Sequence, residues 1–151
     1  MVNALCSGQV DVFFDHNLIT FKSYSESLNC YAVEELYGHL INYSKAFKVK
    51  RSKINLYAIA HYYPRQVLKP FEGTSFLRVV KEKEIFDLQQ GNFKRVRIIV
   101  CNQTDNPLLA LFSGDYEKVI ASYQKLREET TLLDKVSVYL NRLPEYYGQE
   151  W

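Results

Sequence analysis

The sequence predicts an α/β fold: a single domain with a mixed β-sheet and flanking helices. Three stretches carry that prediction. Residues 9–14 (QVDVFF) and 18–23 (LITFKS) each alternate in period two, as half-buried strands do. From about residue 28 to 48, apolar side chains recur at i, i+3, i+4 and i+7, the stripe of an amphipathic helix. Residues 55–63 (NLYAIAHYY) are almost continuously apolar, which fits a central strand covered on both faces. A chain of 151 residues is long enough for one domain with a sizeable core.

In the first strand Val10, Val12 and Phe14 share one face, and Asp11 and Phe13 the other. Asp15, His16 and Asn17 carry turn chemistry, so residues 9–23 read as a hairpin. On the return strand Leu18, Thr20 and Lys22 lie together, opposite Ile19, Phe21 and Ser23. Ser25 or Ser27 offers an N-cap to the helix. Its buried stripe is Val33, Leu36, Tyr37, Leu40, Ser44 and Phe47, flanked by Tyr31, Glu35, Gly38, His39 and Asn42. Lys45, Lys48, Lys50, Arg51 and Lys53 crowd its C-terminal end, where positive charge is favourable by ~0.3–1 kcal/mol.

Pro64 ends the apolar strand, and a helical turn is expected at 65–69. Two strand candidates, 76–80 and 84–89, bracket the charged Lys81-Glu82-Lys83 segment. After a turn at Gln90-Gly91-Asn92, residues 95–101 (RVRIIVC) form the last strand. A helical tail follows at 107–147, with helices expected at 108–113, 115–129 and 132–143. Asp115 caps the second of these, and Pro144 stops the third. No internal repeat, low-complexity segment or linker interrupts residues 1–151.

Composition narrows the function classes. A formal net charge of +2 is too small to argue for nucleic acid by itself. Aromatics reach 15%, which suits half-buried strand faces or a contact surface. Cys6, Cys30 and Cys101 are far apart and odd in number, the usage of reduced thiols in a cytoplasmic setting. No uninterrupted apolar stretch approaches ~18 residues, so no membrane span is expected, and no signal peptide is visible. No Gly-rich phosphate loop and no nucleophile elbow appear, and no small-molecule cofactor is expected. His16, His39 and His61 lack metal-ligand spacing; Glu35 and His39, at i, i+4, form a surface pair or approach a cleft.

Four short motifs carry a resemblance: Gly8-Gln9-Val10-Asp11 on a strand, Thr20-Phe21-Lys22-Ser23 on the next, Asn42-Tyr43 late in the helix, and Tyr63-Pro64 after the apolar strand. Their order over residues 8–113 resembles the PD-(D/E)XK nuclease superfamily, and more closely a bacterial branch near the recombination-promoting nucleases and transposase-like proteins. The resemblance implies a restriction-endonuclease-like core with its first helix lacking or shortened. It implies a catalytic site of Asp11, Lys22 and a second carboxylate holding Mg²⁺. Hard oxygen ligands suit Mg²⁺, the metal activates a water, and a lysine two residues past the acid points to the same side.

The second carboxylate is expected at position 20, where Thr20 stands. Two readings follow. In one, the chain is a nuclease-like domain impaired or inactive in metal-dependent phosphodiester cleavage, acting as a nucleic-acid or protein binding module. In the other, it is an active Mg²⁺-dependent DNA endonuclease, its second metal ligand relocated to the helix at Glu35, or at Glu34, to act with Asp11. Lys22 beside Asp11 is equally read as a plain salt bridge. Only ten residues precede Asp11, so a sheet face bearing Val10, Val12, Phe14, Tyr57 and Tyr62 is expected to be covered by homodimerisation or by the helical tail.

Overall fold

The computed structural model describes residues 16–23 and 25–128. Strand β1 (His16–Lys22) pairs in parallel with β2 (Ile54–Ala60), and β2 in parallel with β5 (Val96–Val100). Strands β3 (Leu77–Lys81) and β4 (Ile85–Leu88) form an antiparallel hairpin, and β4 runs antiparallel to β5. The mixed five-stranded sheet is therefore ordered β1-β2-β5-β4-β3. Every residue of β2 and β5 is buried, which explains their near-continuous apolar sequence: both faces of these strands are covered.

One long helix, α1 (Cys30–Phe47), joins β1 to β2 and covers the first face. Its Val33, Leu36 and Leu40 pack with Leu56, Ala58 and Ile98, each burial of a large aliphatic contributing about 1.5–3 kcal/mol. Short helix α2 (Arg65–Leu68) adds Val67 and Leu68 to the same core. On the second face Tyr57, Ile59, Ile99 and Cys101 pack under Leu109 of α3 (Pro107–Ala110). Helix α4 (Tyr116–Glu128) follows, burying Val119, Ser122 and Leu126.

Several sequence expectations are corrected. His16 and Asn17 form the start of β1 rather than a turn, because parallel pairing with Ile54 and Asn55 extends the strand. A hydrogen bond between His16 Nδ1 and the Tyr43 hydroxyl at 2.9 Å fixes that end. The partner strand of the expected hairpin, with Val10, Asp11, Val12 and Phe14, lies outside the described residues. So does the helix expected at 132–143. The cap of α1 is Asn29, not Ser25 or Ser27; its side-chain oxygen accepts from the Ala32 N–H at 2.9 Å.

Phe47, expected in the buried stripe, is 64% exposed. It lies in the last turn of the helix, with its ring centroid 4.6 Å from that of Tyr43. Tyr57, expected on an open face, is buried, and α3 contributes to its cover. Among the described residues no helix is long and apolar enough to cross a membrane.

Candidate functional site

Because β1, β2 and β5 are parallel, their carboxyl ends meet at one end of the sheet. Open α/β sheets characteristically present binding crevices there. Lys22 closes β1 at this end, beside Ala60 of β2. Leu18 packs toward α1, so period two places Thr20 and Lys22 on that face. The Lys22 ammonium lies 4.0 Å from the Glu26 carboxylate, in a partly solvated pair worth little by itself.

Glu35 sits in the second turn of α1, on its exposed side. Its partner is His39 Nε2 at 3.9 Å, the i, i+4 surface pair anticipated from spacing. His39 also borders an open groove of about 430 Å³ between β1 and α1, with Leu18, Ile19, Tyr43 and Phe47. Lys22 and Glu35 each have their own partner and form no ion pair with one another. Asp11, the remaining expected ligand, lies outside the described residues. Among the described residues no three His, Cys, Asp or Glu side chains converge on a point that could hold a metal ion. Of the expected metal ligands, the described residues include the solvated Glu35 carboxylate, with His39 3.9 Å away.

The carboxyl end holds more than Lys22. An open crevice of about 820 Å³ lies between the segment after β2, the β3–β4 hairpin and the turn after β5. Tyr62, Arg65, Lys83 and Asn102 border it. Lys83 occupies the left-handed region at φ 62°, a conformation that non-glycine residues adopt at a cost. Tyr63, on the same rim, donates to Glu72 Oε1 at 2.7 Å. Burial, then that hydrogen bond, pushes its phenol up to about 12, so it remains a neutral donor at physiological pH.

Buried polar groups adjoin crevice residues in the chain. Glu84 accepts from Thr104 Oγ1 at 2.7 Å and pairs with Lys81, pulling the Lys81 ammonium above its ordinary range. His61 and Cys101 both approach the Phe112 carbonyl, at 3.4 and 3.9 Å. A histidine near a cysteine can suggest a nucleophile and its base. Burial instead pushes the Cys101 thiol up to about 11, which keeps it protonated and unreactive.

Sequence reasoning missed one buried charge cluster. Asp87 on β4 accepts from Arg97 Nε at 2.8 Å and from Arg78 at 2.9 Å, with Arg95 at 3.6 Å. Burial raises its carboxyl, but the Arg97 hydrogen bond and the Arg97 and Arg95 charges outweigh it, holding Asp87 below its ordinary range. An acid alternating with apolar residues in Ile85-Phe86-Asp87-Leu88 was the available signal. Arg78 and Arg97 come from the neighbouring strands β3 and β5 and Arg95 from the turn before β5, which no local pattern reveals. No family model, curated protein or solved structure matches the chain.

Proposed function

We propose that this chain is a nuclease-like domain impaired in metal-dependent phosphodiester cleavage, and that it binds nucleic acid without cutting it. The observation that carries the reading is the chemistry beside Lys22. At the carboxyl end of β1, Lys22 presents a cation to a phosphate, while Thr20 on the same face supplies a neutral hydroxyl where Mg²⁺ needs a charged oxygen. Glu35, the substitute ligand of the alternative reading, is turned to His39 on a solvated helix face.

An ammonium next to a hydroxyl positions an anion by charge and hydrogen bonding. It does not lower the pKa of a water as a bound divalent cation would. The test is a plasmid-nicking assay in Mg²⁺ and in Mn²⁺, run beside a gel-shift assay with the same DNA. The reading expects a shifted complex and intact plasmid. Nicking that Asp11→Ala and Glu35→Gln each abolish would establish the active-endonuclease alternative.

A further inference from the structure

We infer that the amino end of the sheet, opposite Lys22, is a docking surface for single-stranded nucleic acid; this rests on the nucleic-acid-binding reading above and adds a second surface to the phosphate contact at Lys22. Three segments meet there. The last turn of α1 brings Lys45, Phe47 and Lys48. The following loop and 3-10 turn bring Lys50, Arg51 and Lys53. The β4–β5 turn brings Phe93, Lys94 and Arg95, the last also 3.6 Å from the buried Asp87 carboxylate. Lys94 Nζ donates to the Ser52 carbonyl at 3.5 Å, and the Tyr37 hydroxyl donates to the Lys94 carbonyl at 2.9 Å. These contacts join the segments into one surface, about 20 Å from Lys22 along a strand of seven residues.

Residues 44–54 and 89–96 together hold seven Lys or Arg and no Asp or Glu. With the whole chain at +2, the remaining residues are net negative, so the positive charge is concentrated here. Lys45, Lys48, Lys50 and Arg51 are exposed and pair with no carboxylate among the described residues. Stabilisation of the helix end accounts for only part of this, because the dipole field falls off within the last turn. That field does not reach Lys94 and Arg95, which come from a distant part of the sequence. Crowding has a cost: burial and then the Arg95 charge pull the Lys94 ammonium below its ordinary range.

Two large aromatic rings stand exposed within this charge. Phe47 is 64% exposed and Phe93 is 59% exposed. Each is backed by a tyrosine ring, Tyr43 at 4.6 Å behind Phe47 and Tyr37 at 5.2 Å behind Phe93. Cations that follow a phosphate backbone, interleaved with open rings on which bases stack, are the elements of single-strand recognition. A duplex stacks its bases on one another and leaves the rings without a partner.

The experiment is fluorescence anisotropy of the full chain with a labelled 20-nucleotide oligo(dT), a 20-base-pair duplex, and phosphatidylserine vesicles as a separate arm. Oligo(dT) is expected to bind more tightly than the duplex, with affinity falling steeply with salt. The double variant K48E/R51E should weaken it about tenfold or more, K48Q/R51Q by less, and Phe47→Ala about fivefold or more. Circular dichroism melts confirm that each variant is folded. Binding that survives K48E/R51E but is lost in Lys22→Ala would overturn the location and leave the nucleic-acid reading standing. Tighter binding of the duplex, or unchanged affinity in Phe47→Ala, would overturn single-strand stacking. Binding of vesicles alone would make the surface a membrane-docking face, and binding of neither oligonucleotide would remove the underlying reading as well.

Discussion

At the scale of single residues, Thr20 is the position on which the chemistry turns. It shares a strand face with Lys22, two residues on. Replacing it with a carboxylate should build the ligand the pattern lacks: Thr20→Glu is expected to raise Mn²⁺ affinity about tenfold or more over the parent. Titration calorimetry reads this, and identical heats for both proteins would contradict the placement of the motif on β1. Asp87 tests the fold independently. Its depressed carboxyl contributes stability that is present above the unfolded value near pH 4 and lost as pH falls through the lower folded value. Asp87→Asn leaves its arginines unbalanced and should cost about 3–5 kcal/mol at pH 7 in urea denaturation, with less loss of stability on acidification. Among the thiols, exposed Cys30 should alkylate in the native protein, while buried Cys101, raised to about 11, should label only after denaturation. Peptide mapping by mass spectrometry distinguishes the two.

At the scale of elements, the strands and the long helix were legible because their patterns are local. The expectations at 76–80, 84–89 and 95–101 correspond to β3, β4 and β5 within a residue or two. Period two and continuous apolarity suffice for such segments. The start of β1 was not legible, since Asp15-His16-Asn17 has turn chemistry and only pairing with Ile54 and Asn55 extends the strand through it. Nor was the cap of α1: Ser25 and Ser27 have capping hydroxyls, but it is Asn29 whose side chain reaches the Ala32 N–H. Gly114, between α3 and α4, gives a test at this scale. It holds φ +71°, and a Cβ there would stand 3.2 Å from His61 Cε1. Gly114→Ala should therefore destabilise by about 1–2 kcal/mol, lowering the melting temperature by a few degrees in calorimetry. An unchanged melt would mean that the α3–α4 connection tolerates the left-handed strain.

At the scale of the whole molecule, the sheet separates two chemistries. Its carboxyl end carries Lys22 and the open crevice; its amino end carries a surface rich in cations and rings. The candidate site was legible only as an order of residue types along the chain. Sequence placed Lys22 and Glu35 on a strand and a helix, but the pairings with Glu26 and His39 depend on which way each element faces once α1 packs on the sheet. The basic end was half legible: the run from Lys45 to Lys53 stands out, whereas Lys94 and Arg95 join it only through parallel pairing of β2 and β5. Binding without cleavage is the central claim, and one measurement tests it most directly: affinity for an end-labelled oligonucleotide in Mg²⁺ and again in EDTA, with the recovered strand sized on a denaturing gel. The account predicts an intact strand in both buffers and no gain in affinity from Mg²⁺, which competes for the phosphates as any divalent counterion does. A shortened strand in Mg²⁺ that is absent in EDTA, and absent again with Glu35→Gln, would contradict it.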